Sequence, residues 1–177
     1  MRDIVNYGII GCGMMGQEHM RNIALLKGAR VAAIYEPDPG MAAQAQALAP
    51  DVTLCDDVAS LLARPELDCL LIASPNFRHV EQLEDIAARR PLPLLVEKPL
   101  FTDPDDAGRL ARFRDSYPAP IWVAMEYRYM PPIAALLDQV AEVTGSPQML
   151  TIREHRFPFL EKIGDWNRFN RYTGGTF

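Results

Sequence analysis

Gly11-Cys12-Gly13-Met14-Met15-Gly16 is a G-x-G-x-x-G run, and its flanks decide the fold. Ile4 to Ile10 (IVNYGII) before it is apolar and rich in strand formers, and Met14 to about Leu26 after it carries a helical pattern. By itself a glycine-rich turn needs no ligand. Between a first strand and a first helix it reads as the opening of a dinucleotide-binding domain. Gly11 then allows the tight turn, Gly13 lets a pyrophosphate approach the backbone, and Gly16 lets helix and strand pack closely. The helix start supplies N–H groups and partial positive charge to phosphates. Met14 and Met15, on that first turn, either pack in the core or lie along the bound molecule.

Outward from this turn the chain alternates between short apolar strands and helices. Strands are expected at Ala29–Tyr35, Val52–Leu54, Cys69–Ala73, Leu92–Val96 and Ile121–Met125. Helices are expected at Met41–Leu48, Val58–Leu62, Val80–Arg89 and Asp103–Ser116, the last opened by Thr102-Asp103-Pro104. Wholly apolar strands are buried on both faces, so the fold class is α/β with a doubly wound parallel sheet. Near residue 127 the pattern changes. Pro131-Pro132 opens a helix to about Val143, and Met149–Phe157 (MLTIREHRF) reads as a long, half-exposed strand. The expected domains are therefore 1–126, a Rossmann domain, and 127–177, the start of an α+β open-sheet domain.

Composition narrows the function. Of the 177 residues, 49% are hydrophobic and 23% charged, with formal net charge −5, which argues against grasping nucleic acid through its phosphates. No apolar run reaches membrane-spanning length and no signal peptide is expected. Cys12, Cys55 and Cys69 form no C-x-x-C pair and read as reduced thiols of a cytoplasmic protein. The three histidines, His19, His79 and His155, are too scattered for a zinc site, so no metal is expected. Cys12 sits beside helix N–H groups that could lower its pKa, but a passive side chain is expected there.

Glu36 follows the second strand, 20 residues past Gly16. Its carboxylate can accept from the adenosine ribose hydroxyls and would repel a 2′-phosphate, while Pro37 and Asp38 offer no offsetting cation. This favours NAD over NADP. FAD and S-adenosylmethionine sites also use a glycine turn with a second-strand acid, and the next motifs weaken both. Ala73-Ser74-Pro75-Asn76-Phe77-Arg78-His79, Glu97-Lys98-Pro99-Leu100 and Met125-Glu126-Tyr127-Arg128-Tyr129 each follow a strand, at the end where open parallel sheets bind ligands. Lys98, beside a cofactor, would be partly desolvated, with its pKa lowered for proton relay. The competing reading is a solvated surface lysine.

With these motifs in order, the chain resembles the Gfo/Idh/MocA oxidoreductases, which include glucose–fructose oxidoreductase and inositol dehydrogenases. The resemblance implies hydride transfer between a nicotinamide and a hydroxyl-bearing carbon of a sugar or cyclitol. It makes Lys98 the active-site lysine. It places Ser74, Pro75 and Asn76 along the cofactor and has Glu97 either orient Lys98 or contact the nicotinamide ribose. His79 is either a cofactor contact or a structural hydrogen-bonding residue, and His19 is structural. Glu126, Tyr127, Arg156 and Trp166 are the expected substrate residues; Arg128 either binds substrate or ties the domains together. In the family the Thr173-Gly174-Gly175 turn opens a helix with an acid and an acid–base histidine, so the chain reads as a truncated product that binds cofactor without efficient turnover. Family members commonly form homo-oligomers through the second-domain sheet. The alternative function is a non-catalytic dinucleotide-sensing or regulatory protein, against which Lys98 argues.

Overall fold

The computed structural model describes residues 4–143, 145, 149, 151, 153, 166 and 169–174. Among them, β1 (Val5–Ile10), β2 (Ala29–Tyr35), β3 (Thr53–Cys55), β4 (Cys69–Ile72), β5 (Leu94–Val96) and β6 (Ile121–Val123) form one sheet. Its order is β3-β2-β1-β4-β5-β6 and every neighbouring pair is parallel. Helices α1 (Met14–Ala24), α2 (Pro39–Leu48), α3 (Val58–Leu62), α4 (His79–Arg89) and α5 (Ala107–Ser116) connect the strands. This is the doubly wound α/β fold expected from the buried apolar strands.

The two faces of the sheet carry separate cores. Ile9, Ile34 and Leu71 pack with Met20 and Ile23 of α1 and Ala45 of α2. Ile10, Ala33, Leu70, Ile72, Leu94 and Val96 pack with Leu61 of α3, Leu83 and Ile86 of α4 and Leu110 of α5. Neighbours such as Ile9 and Ile10 point to opposite faces because the strand period is two. Both faces are covered, which is why these strands contain no polar alternation.

Side chains start several helices. Asp38 accepts from the Met41 N–H (2.8 Å) with Pro39 at the first helical position, so α2 begins two residues before the expected Met41. Asp57 and Ser60 form a reciprocal capping box at α3. The expected helix from Asp103 is corrected. Asp103 accepts from Asp105, only two residues on, which closes a 3₁₀ turn over Pro104–Asp106 before α5. The shorter β5 and β6 leave the expected residues 92, 93, 124 and 125 outside strands.

The chain divides into two compact units, residues 1–124 with 166–177, and residues 125–165. The first contains the whole sheet and, at its end, the short helix α7 (Asn170–Thr173). The second contains a 3₁₀ turn (Glu126–Tyr129) and α6 (Pro131–Val143). Residues 166–177 were expected with the second domain; by compactness they group with the sheet. Of the strand expected over 149–157, the described residues 149, 151 and 153 carry no strand, and the rest lies outside the described residues. No helix among the described residues is long and apolar enough to cross a membrane. All three cysteines are free.

Candidate functional site

Strand register puts the motifs in one row. Tyr35, Ile10, Ile72, Val96 and Val123, the last residues of β2, β1, β4, β5 and β6, are aligned across the sheet. The residues that follow them, Glu36, Gly11, Ala73 and Glu97, therefore leave the sheet side by side at its carboxyl edge. With strands roughly 4.8 Å apart, Glu36 and the Glu97–Lys98 segment stand on the order of 14 Å apart along that edge. The order reverses between β1 and β4, the switch point where such sheets open a crevice for ligands.

The glycine turn sits at that point. Gly11 has φ +90°, and a Cβ there would lie 2.5 Å from the Ser74 backbone nitrogen. A Cβ on Gly16 would collide with the Gly11 carbonyl oxygen. The steric demands at Gly11 and Gly16 thus come from the protein itself. Gly13 differs: a Cβ there would meet only the Met41 sulfur, at 3.7 Å. The space above Gly13 is open, as a phosphate approaching the backbone requires. Gln17 N–H makes the first turn's bond to Gly13 O (2.9 Å), which leaves the N–H groups of Met14, Met15 and Gly16 ahead of it.

Two side chains brace the turn at Cys12. Glu36 Oε2 accepts from Cys12 N–H (2.6 Å) and its Oε1 from Asp38 N–H (2.9 Å). A carboxylate has about four acceptor positions, so capacity for ribose hydroxyls remains. Gln17 donates to Cys12 O (3.0 Å), fixing the other side of the same residue. The Cys12 thiol is fully buried, and burial together with the Glu36 charge pushes it up to about 12. The surroundings of Cys12 thus oppose the helix-start lowering that the sequence suggested.

At the other end of the row, Glu97 continues the ladder by donating its N–H to Ile72 O (2.9 Å). The residue is buried. Oε1 lies 2.7 Å from His19 Nε2 and Oε2 accepts from Lys98 N–H (3.1 Å). The Lys98–Pro99 peptide is cis. His79, 0% exposed, has Nδ1 2.9 Å from Pro99 O and Nε2 3.0 Å from Ser74 O. Burial lowers its pKa, with the two carbonyls and Glu97 opposing the shift.

The sequence profile described as an oxidoreductase family with an NAD-binding Rossmann fold, Gfo/Idh/MocA, matches residues 5–125. The chain belongs to this family. It is 37% identical over 155 residues to the inositol 2-dehydrogenase of Paracoccus denitrificans (strain Pd 1222), covering 85% of this chain and 45% of that protein. It superposes with TM-score 0.74 and 27% identity on the myo-inositol dehydrogenase of Lactobacillus casei in complex with NAD(H) and myo-inositol, over 81% of this chain and 43% of that one. An Agrobacterium radiobacter oxidoreductase in complex with NAD+, L-tartaric acid and magnesium gives TM-score 0.71 and 26% identity, over 77% and 40%. The chain spans about half the length of the curated relatives it matches most extensively.

Within this Gfo/Idh/MocA domain, Gly11, Gly13, Gly16, Glu36, Ser74, Pro75, Asn76, Glu97 and Lys98 gather at one sheet edge. Met14 is exposed and Met15 half-buried at the turn, while Met20 belongs to the core. Lys98 is exposed, so the desolvation expected for it is not supplied by the described residues. Of the two readings of His79, its surroundings match the structural hydrogen-bonding one: it has no exposed surface and both ring nitrogens face backbone carbonyls. Ser74 is buried and donates to Gln82 (2.6 Å). Asn76 donates to Thr173 O (3.1 Å), and Trp166 meets Phe77 edge-on at 6.0 Å. Glu126 and Tyr127 lie in the 125–165 unit. Arg156 and His155 lie outside the described residues. Among the described residues, no group of three His, Cys, Asp or Glu is placed to hold a metal ion. Sequence reasoning missed the His19–Glu97 pair; only the helical position of His19, one turn inside the glycine helix, hinted at it.

Proposed function

We propose that this chain is the NAD-binding part of an oxidoreductase that moves a hydride between the nicotinamide and a hydroxyl-bearing carbon of a sugar or cyclitol. The observation that carries the reading is the single row of strand ends, with an acid at one end, a glycine turn at the switch point and Lys98 further along. The open space above Gly13 fits a phosphate pressed on backbone. The Gly11–Gly16 turn would hold the pyrophosphate, Glu36 the adenosine ribose, and Pro75 and Asn76 the length of the molecule. The Glu36 charge selects against a 2′-phosphate. Bound NAD supplies the hydride acceptor. Lys98 Nζ hydrogen-bonds the reacting oxygen and relays the hydroxyl proton that must leave when the carbinol is oxidised. Glu97 orients Lys98 through its backbone N–H.

Support for a cyclitol comes from the relatives named inositol 2-dehydrogenase and from the myo-inositol bound in the Lactobacillus casei neighbour. Glu126, Tyr127, Arg156 and Trp166 are proposed as substrate residues, with a domain boundary near 127. The protein is further proposed to act in the cytoplasm and to self-associate.

The test is single-turnover transfer from ring-deuterated myo-inositol to NAD, read by mass spectrometry of the nucleotide, with other polyols in parallel. Deuterium transfer that disappears in Lys98→Ala is expected. NAD binding with no transfer from any polyol would favour a sensing protein instead.

A further inference from the structure

Two histidines stand on either side of Lys98, and the proposed chemistry uses neither. His19 projects from α1, the helix that starts at the glycine turn. Its side chain is 19% exposed and reaches Glu97 Oε1 at 2.7 Å, while the Glu97 side chain is 7% exposed. A carboxylate only accepts, so His19 Nε2 is the donor. The other oxygen of the same carboxylate takes the Lys98 N–H at 3.1 Å. Beyond Lys98, the Pro99 carbonyl faces His79 Nδ1 at 2.9 Å, and His79 Nε2 faces Ser74 O at 3.0 Å. Lys98 is thus held through its N–H on one side and through the next residue's carbonyl on the other. The first link runs to the glycine helix and the second to the Ser74–Asn76 loop.

We infer that His19 and His79 are positioning residues for Lys98, His19 acting through Glu97 and His79 through Pro99. The inference rests on the reading of Lys98 as the reactive lysine. A lysine on a four-carbon stem is mobile, so its reach is defined only if its backbone is fixed relative to the cofactor. The clamp fixes it to the same two elements proposed to hold the cofactor. Glu97 is buried, so loss of the His19 donor removes a partner from a carboxylate oxygen with little access to water, and His79 is fully buried. Among the titratable groups, Glu97 faces His19, and Glu97 lies near His79.

The chain has three lysines, Lys27, Lys98 and Lys162, so ¹⁵N-lysine labelling gives a simple spectrum. The full chain is compared with His19→Asn, which is too short to reach Glu97, with His19→Gln, which presents a donor near the Nε2 position, and with His79→Gln. Hydrogen exchange at the Lys98 amide is expected to rise about tenfold or more in His19→Asn and to return toward wild type in His19→Gln. His79→Gln is expected to shift the Lys98 amide resonance. Lys27 stays in place and reports that the variants are folded. Protection of Lys98 from acylation by NAD is expected to fall at least about fivefold in His19→Asn, with ADP-ribose affinity unchanged. Unaltered Lys98 exchange and resonance in folded variants would overturn the clamp. If the variants alter Lys98 as expected but NAD never protects it in wild type, the clamp stands and the catalytic reading of Lys98 fails.

Discussion

Glu36 has two duties at the residue scale. It is proposed to select the cofactor by charge, and it holds the glycine turn through Cys12 N–H, with Asp38 N–H anchoring the same carboxylate. Glu36→Ser removes both, so NAD affinity should fall about 10- to 100-fold, the worth of one or two charge-assisted hydrogen bonds at roughly 1.5–3 kcal/mol. NADP should gain relative to NAD, and competition titration of both nucleotides reads the ratio. An unchanged NAD preference would remove Glu36 from the specificity argument. His79 gives a pH signature. Burial holds its folded pKa below the ordinary 6.5, so between those values the unfolded chain binds more protons. The stability owed to the neutral ring is complete above pH 6.5 and is lost as pH falls through the folded value. Urea midpoints of wild type should drop more steeply on acidification than those of His79→Gln; parallel curves would contradict this.

At the scale of elements, the sheet was legible because its strands are buried on both faces and read as plain apolar runs. IVNYGII, ARVAAIY and CLLIA need no partner information to be recognised. Capped starts such as Asp57–Ser60 are equally local. What was not legible was contact across elements. His19 and Glu97 are 78 residues apart, and no periodicity within α1 or β5 encodes their meeting. The same holds for His79, whose burial depends on the Ser74 and Pro99 carbonyls closing over it. Glycine roles were readable where the motif states them, yet only the structure separates Gly11 and Gly16, limited by protein backbone, from Gly13, open to a ligand. The packing of α4 gives a stability test. Leu83 is fully buried against the sheet, and Leu83→Ala should cost about 2–5 kcal/mol by urea denaturation. A loss under about 1 kcal/mol, within the range of tolerated surface changes, would mean that this face is not a packed core.

For the whole molecule, the central claim is that the first unit is an NAD site assembled by one row of strand ends. The chain spans about half the length of its curated relatives, so binding is a more direct probe than turnover. A ligand that binds only the folded chain also stabilises it, by about 2.7 kcal/mol at a hundred times its Kd, which makes thermal unfolding a useful cross-check. The decisive measurement is calorimetric titration of the chain with NAD and with NADP, in wild type and in Gly13→Val. The Cβ that Gly13→Val adds enters the open space above the turn, where it meets only the Met41 sulfur at 3.7 Å, so the change should abolish binding while leaving unfolding of the unliganded chain little changed. The account predicts saturable binding of NAD, weaker binding of NADP, and loss of both in the variant. A folded wild-type chain that binds neither nucleotide, or a folded Gly13→Val chain that binds NAD as well as wild type, would contradict it.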